Sequence, residues 1–243
     1  MQAKIQDILI ISTPDDTPKI QALLGDGKNL GINLHYEIQY DPKGIADAFI
    51  IGKSFVDHRP VALVLGDNLF HGGHLTQCIQ NTTPIGATVF AYPVPDPERF
   101  GVVTVDAVNM ATSIEEKPIR PKSNLAVTGL YFYDSDVTTI ASGLTPSNRG
   151  ELEITDINRA YLNTQKCHVS QLDNTTTWMD MGTYDSLLAA SKWVCHRETV
   201  GSEKVGCPEA VAYKNKWIDA NAISHLADDT PAPYSQYLRD ILE

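Results

Sequence analysis

The chain has 243 residues, enough for one large domain or a domain with a small appendage. Apolar residues make up 42% and charged residues 20%, which supplies a packed core and excludes disordered, collagen-like and coiled-coil classes. With 19 basic against 30 acidic residues the formal charge is -11, which argues against a nucleic-acid-binding surface but leaves room for a nucleotide pocket with a few local cations.

Ile8-Leu9-Ile10-Ile11 is an unbroken aliphatic run, the pattern of a parallel strand covered on both faces. Thr17-Pro18 offers an N-cap followed by proline at the first helical position and opens a helix through Leu24. Gly25-Asp26-Gly27, with Gly31, reads as a helix stop and turn, since no Gly-Lys-Ser/Thr follows to make a phosphate loop. His35 to Gln39 reads as a strand, and Gly44 to Phe55 as a helix with Ile45, Ala48, Phe49 and Ile51 as its apolar members. Val61-Ala62-Leu63-Val64-Leu65 is the clearest buried strand; it stops at Gly66-Asp67-Asn68, and Ala87 to Tyr92 is the next. This alternation predicts an α/β fold with an open, mostly parallel sheet and helices on both faces. After residue 100 the rhythm changes. Val102 to Val105, Thr112 to Glu115 and Val127 to Phe132 are strand-like with short polar connections, an antiparallel addition. Helices are expected over Val137 to Ser142 and Ile154 to Asn163, then a strand near Trp178, a long helix over Thr183 to Val200, and a small helical tail.

No apolar run approaches the ~20 residues of a membrane span, and the first residues lack a signal peptide's basic start and apolar stretch. Cys78, Cys167, Cys195 and Cys207 are scattered with no Cys-x-x-Cys pair, so neither a zinc site nor a disulfide framework is indicated. The expectation is a cytoplasmic protein with no membrane partner.

Two carboxylates stand at strand ends. Asp67 directly follows the strand taken as most buried, and ligands of open α/β sheets bind beyond such carboxyl ends. Mg²⁺ takes one or two carboxylates plus phosphate oxygens, so Asp67 reads either as a metal ligand or as a turn residue capping a helix. Asp180 has the same address before Gly182-Thr183, with the same two readings open. Glu115-Glu116-Lys117-Pro118 places two carboxylates and a lysine at a loop mouth, suited to sugar hydroxyls and phosphate or merely to solvent. Arg149 beside Gly150 could lay its planar fork on a phosphate, whereas Glu151 and Glu153 meet a helix dipole. His71-Gly72-Gly73-His74 lacks a second ligand cluster and reads as loop histidines. Asp134-Ser135-Asp136 imitates the Asp-x-Asp pair of metal-dependent sugar transferases but precedes a helix, where capping is the simpler role.

Taken in order, Asp7-Ile8-Leu9-Ile10-Ile11-Ser12-Thr13-Pro14, Gly44-Ile45-Ala46, Leu65-Gly66-Asp67-Asn68, Asp96-Pro97-Glu98-Arg99-Phe100-Gly101, Glu115-Glu116-Lys117-Pro118, Ala126-Val127-Thr128-Gly129-Leu130-Tyr131, Arg149-Gly150-Glu151-Leu152-Glu153-Ile154-Thr155-Asp156 and Trp178-Met179-Asp180-Met181-Gly182-Thr183 resemble the bacterial glucose-1-phosphate thymidylyltransferases, from about Ile8 to the end. The resemblance implies a nucleotidyltransferase-like, Rossmann-like domain over residues 1–183 and a C-terminal helical oligomerisation segment over 184–243. It implies transfer from dTTP to glucose 1-phosphate, giving dTDP-glucose and pyrophosphate, in a homotetramer supplying dTDP-rhamnose and cell-surface polysaccharide. By the same resemblance Asp67 and Asp180 hold Mg²⁺, Lys117 and Arg149 hold the sugar phosphate, and Glu116 the sugar hydroxyls. Gln39 and the Gly44 backbone read the thymine edge, with Phe100, Gly101 and Trp178 among the substrate-binding residues.

The family's opening strand and its Gly-Gly-x-Gly-Thr-Arg-Leu-x-Pro loop do not occur in the sequence. The expectation is therefore a truncated transferase lacking the first central strand and the triphosphate cradle. Asp173-Asn174-Thr175-Thr176-Thr177 replaces a glycine-containing stretch, and Tyr40-Asp41 a Pro-Ser pair. The competing reading is a catalytically inactive sugar-nucleotide-binding or assembly subunit; glycosyl transfer through Asp134 is a third.

Overall fold

The computed structural model describes residues 1–201 and 204–243. The chain runs through β1 (Asp7–Ser12), α1 (Thr17–Leu24), β2 (Asn33–Ile38), α2 (Ala48–Ile51), α3 (Lys53–Val56), β3 (Val61–Val64), β4 (Asn68–His71) and α4 (Gly73–Gln80). It continues with β5 (Ala87–Pro93), β6 (Gly101–Val105), β7 (Ala111–Glu116), β8 (Leu125–Tyr133), α5 (Val137–Ser142), α6 (Ile154–Asn163), β9 (Cys167–Gln171) and β10 (Thr177–Asp180). The last elements are α7 (Tyr184–Val200), α8 (Pro208–Lys214), α9 (Ala220–Asp228) and α10 (Tyr234–Asp240). The contacts divide it into two units, Asp41–His196, and Met1–Tyr40 together with Arg197–Glu243.

The larger unit is built on a six-stranded sheet in which β8 pairs antiparallel with β3 on one side and β5 on the other, and β5 pairs parallel with β9. β3, β5 and β9 thus share one direction, with β8 reversed between them. β6 and β7 form the antiparallel addition, joined to β8 through Val102 opposite Ala126. Helices cover both faces. Phe49 of α2, Val137 and Ala141 of α5, and Ile154, Ile157 and Tyr161 of α6 pack on Val89, Tyr131 and Tyr133. Leu75 and Cys78 of α4 pack on Phe90 and Leu130 from the other side. The period-2 alternation of β8 sends its tyrosines to one layer and Leu130 to the other.

Several expectations are corrected. β3 is not the most buried strand: Val64 is 59% exposed, because among the described strands β3 has a neighbour on one side alone, whereas Ala87–Ala91 of β5 lie between two strands and two helical layers. Gly44 to Phe55 is not one helix but a 3-10 turn over Ile45–Asp47, then α2 and α3, parted at Gly52. Gly44 shapes the entry to this segment: its φ of +98° brings its backbone against Leu152, and a Cβ there would stand 2.5 Å from the Leu152 carbonyl oxygen. Leu152 N–H donates to Lys43 O, and Ala46 N–H donates to Leu152 O. Thr17 does not cap α1. Its hydroxyl donates to Thr13 O, and Asp16 takes the cap position.

In the smaller unit β1 and β2 pair in parallel, Asp7 opposite Asn33 through Ser12 opposite Ile38. β1 has no other partner among the described strands, so Ile8–Ile11 are half-buried and not covered on both faces as expected. α8, α9 and α10 pack around Cys207, Ile223, Ala227 and Leu238. Asp219 caps α9 by accepting from Ala222 N–H at 2.9 Å.

Candidate active site

The antiparallel pairing of β4 with β10 sets Asn68 opposite Asp180. Asp67 occupies the turn that enters β4, and Met181 N–H donates to its carbonyl oxygen at 2.8 Å, tying the two chain segments together. The side chains follow the backbone. A Cβ built on Gly182 would lie 3.4 Å from Asp180 Oδ1 and 3.8 Å from Asp67 Oδ2, so both carboxylates face one point. Their helix-cap readings fall away. A strand follows Asp67, not a helix, and α7 is capped by Thr183, whose Oγ1 accepts from Ser186 N–H while Ser186 Oγ accepts from Thr183 N–H.

Asn68 organises this pair, and sequence reasoning passed over it as a turn residue. Its Oδ1 accepts from Gly129 N–H at 3.0 Å and from Trp178 Nε1–H at 2.7 Å, and its Nδ2–H donates to Asp67 Oδ1 at 2.8 Å. Two donors on one atom and a carboxylate on the other leave the amide a single orientation. The signal available in the sequence was a short amide next to the strand-end carboxylate.

Trp178 stands within an aromatic wall, its ring 5.3 Å from Phe100 and 5.9 Å from Tyr92. Arg99 lies over Phe100 and is held by Asp96 at 2.8 Å. Gly101 lies opposite Glu116 in the β6–β7 ladder, and a Cβ at Gly101 would come within 3.4 Å of Glu116 Oε2. That same Oε2 accepts from the Thr155 hydroxyl at 2.6 Å. Lys117, exposed and with a φ of +41°, is anchored by its N–H donating to Phe100 O. The structure thus joins Gly101 and Glu116 through adjacent strands, Lys117 to Phe100 through its backbone, and Phe100 to Trp178 through their rings.

Arg149 is tied to Glu153, its Nη2 reaching both carboxylate oxygens at 2.9 and 2.8 Å and its Nε reaching Oε1 at 3.1 Å. Ser147 donates to the same carboxylate at 2.7 Å. Burial pushes the Glu153 carboxyl up, but the hydrogen bonds from Arg149 and Ser147 and the charges of Arg149 and Lys117 outweigh it and hold the group below its ordinary value. A carboxyl depressed on folding contributes stability above its unfolded value of 4.5, lost as pH falls through the folded value. Thermal melts between neutral and acidic pH should show a shallower acid limb for Glu153→Gln than for the parent; identical limbs would remove this role.

The remaining candidates fall in both units. Gln39 follows β2 in the smaller unit, its N–H donating to Ser12 O, while Gly44 belongs to the larger unit and packs on Leu152. Asp134 is structural: Oδ1 accepts from the Tyr161 hydroxyl and Asp136 N–H, and Oδ2 from Gly86 N–H. His71 meets the Trp193 ring at 5.3 Å.

No group of three or more His, Cys, Asp or Glu side chains forms a metal cluster among the described residues. A pair of convergent carboxylates still suits Mg²⁺, which fills its octahedron with water and substrate phosphate oxygens and needs no all-protein cage.

Over residues 1–197 the sequence matches the nucleotidyl transferase family. It is 46% identical to the glucose-1-phosphate thymidylyltransferase of Mycobacterium tuberculosis (strain ATCC 25618 / H37Rv), an alignment covering 100% of this chain and 85% of that protein. The enzyme of that name from Xanthomonas campestris pv. campestris (strain B100) is also 46% identical, over 93% of this chain and 78% of its own. A Bacillus anthracis protein assigned to the glucose-1-phosphate thymidylyltransferases, solved with sucrose, superposes with a TM-score of 0.71 at 38% identity, covering 79% of this chain and 77% of its own. A UDP-glucose pyrophosphorylase superposes at 0.69 with 21% identity, over 81% of this chain and 83% of its own, a likeness of fold. No helix among the described residues is long and apolar enough to cross a membrane.

Proposed function

Because the chain belongs to the nucleotidyl transferase family, among the glucose-1-phosphate thymidylyltransferases, we propose that it joins glucose 1-phosphate to dTTP. A phosphate oxygen of the sugar phosphate bonds to the α-phosphorus of dTTP, the bond to the β-phosphate oxygen breaks, and dTDP-glucose and pyrophosphate result. Such a displacement depends on alignment and on neutralising charge that gathers between anions. The observation that carries this reading is the convergence of Asp67 and Asp180 beside Gly182, on the ladder that also holds Trp178. Mg²⁺ held by these two carboxylates would supply charge neutralisation to the phosphates.

The chain's own side chains do the rest. Glu116 accepts hydrogen bonds from sugar hydroxyls, held in place by Thr155. Gly101 leaves room beside that carboxylate, and Phe100 and Trp178 border the ring. Lys117 and Arg149 hold the sugar phosphate, Arg149 sharing its fork with Glu153. The Gly44 backbone reads the thymine edge. The C-terminal segment 184–243 serves assembly into a homotetramer, a role supported by the exposure of Tyr184, Leu187 and Leu188 on α7; sedimentation should give a mass near four chains.

The test is pyrophosphate release from dTTP and glucose 1-phosphate with Mg²⁺. Release that stops when either substrate is omitted supports the reading; binding of dTDP-glucose with no release overturns it. Thr155→Val should raise KM for glucose 1-phosphate about tenfold, the worth of a hydrogen bond to a charged group, and leave KM for dTTP unchanged. Equal effects on both would place Thr155 outside the sugar pocket.

A further inference from the structure

Arg99 ends the short 3-10 turn over Pro97–Arg99 that leads from β5 into β6. Its Nη1 donates to Asp96 Oδ2 at 2.8 Å, and its Cζ stands 5.4 Å from the centre of the Phe100 ring. The Phe100 ring in turn meets Trp178. Trp178 and Asp180 are two residues apart on β10, so they share one face of that strand. The guanidinium is thereby set against the aromatic wall on the side from which Asp180 extends. The charges agree with this placement. The hydrogen bond to Asp96 and the charge of that carboxylate raise Arg99 above its ordinary value, and the charge of Asp180 adds to them.

An exposed pair three residues apart contributes little to stability, so Asp96 acts on Arg99 as a tether. It engages Nη1 alone. Among the described residues Asp96 is the one hydrogen-bond partner of this side chain, which leaves the N–H groups of Nε and Nη2 for a ligand. The other cations of the site are differently placed. Arg149 has both oxygens of Glu153 on its fork and Glu151 at 3.6 Å, and Lys117 stands in the same group of carboxylates, its charge acting on Glu153. Phosphates drawn to this site must approach Asp67 and Asp180, whose charges repel them. A planar, permanently charged fork beside Asp180 offsets that repulsion and matches phosphate oxygens in shape.

Resting on the function proposed above, we propose that Arg99 is a further substrate-binding residue of this site, its Nε–H and Nη2–H donating to oxygens of the dTTP phosphate chain beside Asp180. Lys117 and Arg149 are left to the sugar phosphate, and the two anions are then held by separate cations.

The test titrates the native chain with inorganic pyrophosphate in the presence of Mg²⁺ and reads binding by calorimetry, which needs neither base, sugar nor turnover. Arg99→Gln should weaken binding on the order of 10- to 100-fold, the worth of hydrogen bonds between charged groups, with the denaturation midpoint unchanged. Arg99→Lys, which keeps the charge without the fork, should recover part of the loss. Lys166→Gln removes the same charge from an exposed position at the far end of β5, where Lys166 O accepts from Ala87 N–H, and should bind within about twofold of the parent because salt screens so distant a charge. A parent that binds no pyrophosphate, an Arg99→Gln variant that binds as the parent does, or an equal loss in Lys166→Gln overturns the proposal. A parent that binds pyrophosphate but releases none from dTTP and glucose 1-phosphate loses the proposed function, while the Arg99 contact is still decided by the titration.

Discussion

Asp180→Ala is expected to lower the rate of pyrophosphate release by a factor on the order of 10²–10³, and Asp67→Ala to match it, with the fold retained. Neither carboxylate belongs to the hydrophobic clusters, and each is held by backbone and amide contacts at the edge of the β4–β10 ladder, so truncation leaves no cavity. What is lost is one of two charges facing the Gly182 position. Since both serve one ion, the effects should not add: the double variant should be no slower than either single one by more than a few fold. Asp180→Asn separates charge from shape, because the amide oxygen can still accept from Gly182 N–H, which now donates to Asp180 Oδ1 at 3.3 Å. It should lose nearly as much activity as the alanine. Chelation of divalent metal should reduce the parent to the level of the variants. Turnover within tenfold of the parent in Asp180→Ala would remove the pair from the chemistry.

Gly129→Ala is expected to cost about 2 to 4 kcal/mol of stability and, with it, most of the activity. The new Cβ would meet Asn68 Oδ1 at 2.6 Å, Cγ at 2.7 Å and Nδ2 at 2.9 Å. Asn68 is short and pinned by three hydrogen bonds, so it cannot swing aside without releasing Gly129 N–H, the Trp178 indole and Asp67 together. The Gly129 carbonyl is tied as well, accepting from Leu65 N–H at 2.9 Å, which limits how far its backbone can retreat. Denaturation midpoint and pyrophosphate release should fall in the same variant. Gly143→Ala is the control, since its nearest atoms would lie at 3.5 and 3.7 Å and α5 should tolerate it. Equal midpoints for the two variants would show that Asn68 is not rigidly held.

The two predictions differ in how visible their residues were. Asp67 and Asp180 could be singled out as carboxylates at strand ends, where ligand and cap readings stood side by side until the resemblance favoured the ligand. Asn68 could not: Gly66-Asp67-Asn68 has the composition of a turn, and what makes the amide central is a tryptophan 110 residues later in the chain. The same holds for Thr155, a polar residue near a helix start that lies buried because Glu116 claims its hydroxyl. Arg149 was read as a free fork, whereas Glu153, read as a dipole-facing acid, holds it.

Local chemistry was legible where the chain supplies both signal and partner within a few residues. α1, α5 and α6 occur over the expected spans because a proline at the start of α1 and a 3.6-residue apolar period act within single turns. The alternation of strand-like and helical runs likewise pointed to the α/β class, and net charge weighed against a nucleic-acid surface. Tertiary structure alone decided the rest. Whether Ile8–Ile11 and Val61–Val64 are covered depends on how many strands flank them, a property no aliphatic run contains. Whether two aspartates share a point depends on the register of β4 against β10, where a slip of one residue would turn every side chain to the opposite face. Hydrophobic pattern sets which residues leave water; pairing between distant segments sets which of them meet, and the site is made of those meetings.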